Sequence, residues 1–421
     1  MIRTIRAAAP ECPIILDTEG PEIRLVNVPH PIKLTTGQEF VFSTSMHAHM
    51  AHTTHPVHVT PGTTVLFDDG NITLIVERVH EQYVTCRVQN EAILTDRRKV
   101  TVPGGSIALP VLSERDVTNL RFCLDLGADA VALSFTQRAD DIAVCRDIVG
   151  PHVTIIAKIE NRLGVENAEH IIREADGVMI ARGDLGVEIP LEEVPQVQKR
   201  LVRLANTLGK TAIVATQMLE SMTHNPIPTR AEVSDVANAI MDGADAVMLS
   251  GETARGAYPV ATVSTMARIA QETDKYVLTT FRRGEQGRIS SAEAISAAVY
   301  DMATSLGAQA IITATTSGFT ARMVSRFRPH VPIIAVAHDE RIKRQLQLVW
   351  GVTPVIFEND QMHAHDTIPR ALKTALLARL VREDDLIVAT AGINTRKRGS
   401  TNLIEIHRVR DIVDVAGGHR T

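Results

Sequence analysis

Lys158 and Glu160 stand two residues apart at the end of the apolar run Val153 to Ile159, and Asp184 follows a second such run, Gly177 to Ala181, in a Gly-Asp turn. Alternate residues of an extended strand share a face, so the ammonium and the first carboxylate point the same way. An ammonium and two carboxylates brought to adjacent strand ends suit a site that holds a divalent metal and a phosphate. Two monodentate carboxylates leave most positions of an octahedral Mg2+ or Mn2+ open to water and substrate oxygens, which makes Glu160 and Asp184 the candidate metal ligands. Beside that metal, Lys158 places a compact positive charge where charge gathers on a transferring phosphoryl group. Taken alone, the Lys-x-Glu triplet also reads as a structural ion pair at a solvated strand end.

These residues can meet only if several strands point the same way. Pro13 to Asp17 reads as a buried strand, and Ala130 to Ser134, Val153 to Ile159, Gly177 to Ala181, Thr211 to Thr216 and Ala246 to Ser250 each precede an amphipathic helical stretch. The pattern predicts six β/α strands, two short of the eight that close a (β/α)8 TIM-type barrel. Chemistry in such barrels gathers at the carboxyl ends of the strands, where Asp17, Thr18, Ser134, Lys158, Glu160, Asp184, Thr216 and Ser250-Gly251-Glu252 fall. From about Pro29 to Pro103 the texture changes to short alternating runs divided by turn residues, which predicts a small inserted β-barrel or sandwich. Within it Asp69-Gly70 signals a hairpin, because that turn needs positive φ. After a Gly/Arg-rich linker at 282–288 the chain alternates helix and strand again, as an open α/β sheet does. The expected organisation is a barrel domain over 1–28 and 106–282, a β-rich lid over 29–105 and an α/β domain over 289–421.

Composition narrows the classes. A chain of 421 residues that is 44% hydrophobic can bury cores for two or three domains. The net charge of −5, without a block of like charges, offers no electrostatic reason to expect nucleic acid or an anionic membrane. Four cysteines without CxxC spacing fit reduced thiols better than a disulfide frame or a zinc site. The amino terminus lacks the apolar segment of a signal peptide, and the uncharged stretch Met302 to Ala321 is studded with Gly, Ser, Thr and Gln, so a cytoplasmic location without a membrane anchor is expected. His47, His49, His52, His55 and His58 crowd one stretch of the lid; no carboxylate or cysteine joins them, and they read as an exposed loop rather than a metal site.

Residues 154 to 195, TIIAKIENRLGVENAEHIIREADGVMIARGDLGVEIPLEEVP, resemble the signature region of pyruvate kinases almost residue for residue. The likeness continues through VATQMLESM at 214 to 222, PTRAEVSDVANAI at 228 to 240 and DAVMLSGETARGAYP at 245 to 259, and extends over the chain from Ile14 onward. The resemblance implies phosphoryl transfer from phosphoenolpyruvate to ADP, leaving an enolate that is protonated to pyruvate. It implies that backbone N–H groups of Gly183 and Asp184 meet the substrate carboxylate, and that Thr216 binds substrate and sits in the protonating relay. A strand-end threonine capping the next helix is the plain alternative for Thr216. Asp17 and Thr18 match a turn that helps ligate K+, Glu22 matches its acidic variant, and Arg24 matches an arginine that positions nucleotide phosphates. Glu19 departs from the pattern, replacing a lysine.

By the same resemblance the inserted module is a lid that closes over ADP. Its segment Arg97 to Gly104 stands where the family carries a Lys-Gly-Val-Asn run, with the glycine and asparagine replaced; Arg98 reads equally as a phosphate contact and as part of a solvated basic turn. In the last domain Thr315, Thr316, Ser317, Gly318 and Thr320 form a hydroxyl-rich turn ahead of a helix, a common phosphate cradle. It resembles the loop by which pyruvate kinases bind an effector such as a phosphorylated sugar or nucleotide, with 399–402 as the facing loop; a simple helix cap stands beside that reading. A homotetramer is implied by likeness alone.

The family also begins with a strand, a helix and a second strand ahead of the region that Met1 matches. The resemblance therefore implies that Met1 is an internal start within a longer, active pyruvate kinase. Two alternatives stand beside it: a short form serving as an impaired binding or regulatory subunit, and a metal-dependent aldolase of pyruvate, which also uses barrel-end Glu and Asp.

Overall fold

Runs of Ile, Val and Ala make the central sheet, with charge only toward the carboxyl ends, at Asp17 and Lys158. In the computed structural model, which describes residues 1–46, 49–105, 109–276, 290–357, 367–392 and 401–412, the strands Ile15–Asp17, Ala130–Leu133, Thr154–Ile159, Gly177–Ala181, Thr211–Ala215 and Ala246–Met248 pair in that order, all parallel. Four of them are wholly or almost wholly buried, as strands covered on both faces must be. The strand Ile15–Asp17, expected to be buried, is only half-buried and ends on an exposed Asp17; among the described residues it pairs with Ala130–Leu133 alone.

The two faces of the sheet are different. Val131, Leu133, Ile155, Ala157, Val178, Ile180, Ala212 and Val214 pack outward against the helices. Ala130, Ala132, Ile156, Met179, Ile213 and Ala215 form the inner layer. Because strand residues alternate, Lys158 and Glu160 continue the inner face of Ile156 beyond the carboxyl end. That register aims both charged groups at the barrel axis rather than at the helices.

The insert is a second, antiparallel sheet in the order Glu39–Phe42, Val84–Val88, Ile72–Val79, Thr64–Phe67, Arg98–Thr101, Arg24–Val26 and His52–Thr53. Phe42 and Phe67 meet edge to face in its core with ring centroids 5.4 Å apart. The strand Arg24–Val26, expected on the barrel side of a boundary at 28/29, pairs with Arg98 and Lys99 and so belongs to this sheet. The Asp69-Gly70 hairpin forms: Asp68, Asp69 and Gly70 all take positive φ between paired Phe67 and Ile72. Of the histidine-rich stretch, His52 lies in a strand, His55 and His58 are exposed, and His47 falls outside the described residues.

The third sheet runs Val352–Ile356, Ile333–Ala337, Ala310–Thr315, Leu386–Ala391 and Leu403–Arg408, parallel except for the last strand. It docks under the amino ends of the central strands. Asp129, which precedes Ala130, takes Arg344 Nε at 2.7 Å, and Asp245, which precedes Ala246, takes Arg328 Nη1 at 2.8 Å. With that end covered, the carboxyl ends are left to face the lid. The expected linker at 282–288 lies outside the described residues.

Candidate active site

Three oxygens surround the Lys158 ammonium: Ser134 Oγ at 2.8 Å, Asp17 Oδ1 at 3.0 Å and Glu160 Oε1 at 3.0 Å. An ammonium has three protons to donate, so the set is complete. Burial pulls this lysine down, but Glu160 and then Asp17 outweigh it and hold it above its ordinary value, so it remains a cation. Ser134 Oγ donates in turn to the Thr18 carbonyl at 2.8 Å, and the Ser134 amide donates to Thr18 Oγ1 at 3.0 Å. Asp17, Thr18, Ser134, Lys158 and Glu160 thus form one network across three neighbouring strand ends.

Glu160 is almost wholly buried, with 1% of its side chain exposed. Its second oxygen accepts the Phe135 amide at 2.7 Å, and Phe135 takes φ +52 to present that amide. A bulky residue in the left-handed region is strained, and such strain persists where surrounding contacts over-determine it. Burial pushes the Glu160 carboxyl up, and Lys158 pulls it only part of the way back. A buried carboxylate whose charge one ammonium does not fully offset is favourable ground for a divalent cation. The donor set, hard carboxylate oxygens with open positions beside them, fits Mg2+ or Mn2+.

Asp184 was expected in a turn; it sits instead in the first turn of the helix Arg182–Glu188, which follows the strand Gly177–Ala181 directly. One of its oxygens accepts the Lys99 ammonium from the lid strand Arg98–Thr101. Thr216, just past its strand, takes φ +68, a costly conformation for a β-branched residue. Two contacts hold it there. Its hydroxyl accepts the Gly183 amide at 2.8 Å, and its carbonyl accepts Arg182 Nη2 at 2.8 Å. Arg182 is itself fixed by Asp235 at 2.7 Å from the helix Arg230–Met241. A Cβ on Gly183 would lie 3.3 Å from Thr216 Oγ1, a tight contact that would need a small shift of one of the two. The Gly183 amide expected to meet a substrate carboxylate donates to Thr216 Oγ1. Sequence reasoning missed Arg182, although its place directly before Gly183-Asp184 at a strand end was the available signal.

The nucleotide-side residues are turned inward. Arg24 Nη2 pairs with Glu22 at 2.5 Å and its Nη1 donates to the Arg97 carbonyl at 2.9 Å. Arg98, the candidate phosphate contact, pairs with Asp68 at 2.8 Å. Between lid and central sheet lies a cavity of about 440 Å³ bordered by Glu22, His58, Lys99, Phe135 and Glu188.

Glu188 in that cavity was also missed. Burial raises its carboxyl to about 7, against smaller opposing pulls from the Gly104 amide and Lys99. Between its ordinary 4.5 and about 7 the folded chain binds more protons than the unfolded one, so stability falls as pH rises through that window. The full loss is roughly 3 kcal/mol. Glu188→Gln removes it: thermal unfolding of the metal-free protein from pH 5 to 8 should show a flatter profile for the variant and a higher midpoint than wild type at pH 8. Parallel profiles would contradict this assignment.

In the third sheet, Thr315 Oγ1 accepts the Gly318 amide at 2.9 Å and Thr320 Oγ1 meets Thr401 Oγ1 at 2.7 Å, while Thr316 is exposed and Ser317 half-buried. The structure therefore brings the hydroxyl-rich turn against the facing loop through Thr401; Gly399 and Ser400 lie outside the described residues. Thr315 acts here as a cap for its own turn.

Comparison with known proteins agrees with this layout. Residues 1–263 match the family described as pyruvate kinase, barrel domain, and residues 293–407 match pyruvate kinase, alpha/beta domain. A pyruvate kinase of Geobacillus stearothermophilus is 43% identical over 95% of this chain and 71% of its own length. One from Clostridium acetobutylicum is 41% identical over 94% of this chain and 87% of its own. A crystal structure of a pyruvate kinase from Cryptosporidium parvum superposes with a TM-score of 0.85 at 34% identity, covering 97% of this chain and 86% of that one. These matches select a phosphotransferase over an aldolase: the chain belongs to the pyruvate kinase family.

Proposed function

We propose that the Lys158 network is where this chain moves the phosphoryl group of phosphoenolpyruvate to ADP, giving ATP and pyruvate. The observation that carries the reading is the single ammonium held by Ser134, Asp17 and Glu160 at 2.8, 3.0 and 3.0 Å on the inner face of the barrel sheet. Lys158 steadies the transferring phosphoryl, whose loose transition state is served mainly by fixed positive charge. Glu160 and Asp184 hold Mg2+ or Mn2+. When bound, such a cation neutralises charge on phosphoryl and enolate oxygens.

Asp17 and Thr18 help hold K+, and Gly183 with Asp184 receives the substrate carboxylate through the backbone. Thr216 Oγ1 accepts from Gly183 and keeps its own proton to donate, which suits a relay that protonates the enolate. Arg24 turns from Glu22 to nucleotide phosphate as the antiparallel sheet closes over ADP as a lid and excludes water. Residues 289–421 form an effector domain in which Thr315, Thr316, Ser317, Gly318 and Thr320 bind a phosphorylated sugar or nucleotide, within a cytoplasmic homotetramer.

The test is pyruvate formation from phosphoenolpyruvate and ADP with Mg2+ and K+ together, then with each withheld. Activity is expected only with the divalent cation and to fall sharply without K+. Turnover that persists without any divalent cation would sink the metal assignment, and indifference to K+ would sink that of Asp17 and Thr18.

A further inference from the structure

The two carboxylates assigned to the metal are each matched by an ammonium, and the two ammoniums come from different places. Glu160 is matched by Lys158 from its own strand, 3.0 Å away and part of a closed network. Asp184 is matched by Lys99, which belongs to the inserted sheet, not to the barrel. The Lys99 side chain is 15% exposed, its ammonium lies 4.7 Å from the centre of the Phe135 ring and 3.9 Å from Asp69 Oδ1, and its strand is pinned on both sides by Arg24–Val26 and Thr64–Phe67. The ring face and both carboxylates favour a cation at that spot. Phe135 is also the residue whose amide holds Glu160, so the ammonium rests against the metal pair's own scaffold.

We propose that Lys99 is a built-in counter-ion for Asp184, which fastens the lid over the metal-free site and must be displaced when a divalent cation binds. This rests on the assignment of Asp184 to the metal. A dication and the Lys99 ammonium compete for the same Asp184 carboxylate; Lys158 stays on Glu160 within its closed barrel network, whereas Lys99 is carried by the inserted sheet and has no such network on the barrel. Metal loading is therefore an exchange of cations, and the lid strand is released by it. Because a site closed by its own chain binds in proportion to the fraction of time it is open, the Lys99 contact weakens metal binding in the absence of substrate.

Direct Mn2+ binding to the substrate-free protein, followed by electron paramagnetic resonance, tests the exchange without relying on turnover. Lys99→Met keeps the alkyl stem against Phe135 and removes the charge; it should bind Mn2+ on the order of 10-fold tighter than wild type, as expected if the pair is closed about nine-tenths of the time. Lys99→Arg, which keeps a cation there, should stay near wild type, and Asp184→Asn should bind Mn2+ far more weakly. If Asp184→Asn loses Mn2+ binding but Lys99→Met binds no tighter than wild type, the metal assignment stands and this inference falls. If Asp184→Asn binds Mn2+ normally, the metal assignment fails and takes the inference with it. In wild type, backbone hydrogen exchange over 98–105 should quicken when Mg2+ alone is added, a readout that does not depend on any variant folding. Exchange that slows or stays the same would overturn the proposal.

Discussion

Lys158→Met should lower the rate of pyruvate formation by on the order of 10³-fold or more, with the loss in kcat rather than in KM. The reason is local. The ammonium sits on the inner face of the sheet beside the candidate metal ligand Glu160, fixed also by Ser134 and Asp17, and the variant takes that fixed charge away from the phosphoryl group. Lys158→Arg should not rescue activity: a planar guanidinium cannot direct three donors at three converging oxygens as an ammonium does. Removing the charge also leaves the buried Glu160 without its partner, at a cost of about 3 to 5 kcal/mol, which a melting curve reads separately. The measurement is steady-state kinetics on variants shown to be folded at the assay temperature. A Met variant within a few-fold of wild type in kcat would mean that the phosphoryl group is handled elsewhere.

Glu160→Gln carries the second large effect. The amide keeps the shape and still accepts the Phe135 amide through its oxygen, but its NH2 then faces the Lys158 ammonium, donor against donor, so folding of the variant is checked by a melting curve before the rate is read. What it loses is the charge of a carboxylate that is only 1% exposed. Lewis-acid stabilisation by a bound cation is worth several kcal/mol, so at fixed, low Mg2+ the rate should drop on the order of 10³-fold and recover in part as Mg2+ is raised. Titrating activity against Mg2+ for wild type and variant is the check. Superimposable curves would show that Glu160 does not touch the metal.

Much of this was legible from short stretches of sequence. The six parallel strands were readable because each is a compact apolar run followed by a polar, periodic one, and both their existence and their order appear in the structure. The pairing of Lys158 with Glu160 was readable because a period of two leaves no choice of face. The Asp69-Gly70 hairpin followed from backbone sterics alone. Misreadings fell where a neighbour decides the outcome. Ile15–Asp17 looks like an interior strand, yet is half-buried and pairs with Ala130–Leu133 alone among the described residues; Arg24–Val26 looks like the end of the barrel segment, yet is claimed by Arg98 and Lys99 across the sheet. Asp184 looks like a turn residue because Gly183 precedes it, yet the helix starts at once, with the Gly183 amide satisfied by Thr216.

The division has a physical basis. Strand runs, helix stretches, turn chemistry and the residue types of the catalytic site are local properties, set by side-chain periodicity and by backbone conformations available over a few positions, so the sequence by itself determined them. Which charges meet was decided only by the tertiary structure. Lys99 reaches Asp184 across 85 positions of chain, Arg182 reaches Asp235 across 53, and Arg344 reaches Asp129 across 215. Such pairs depend on how two sheets and their helices stack, and a guanidinium or ammonium carries no mark in its own neighbourhood of the carboxylate it will find. The same holds for Glu188, whose raised carboxyl comes chiefly from burial beneath the lid.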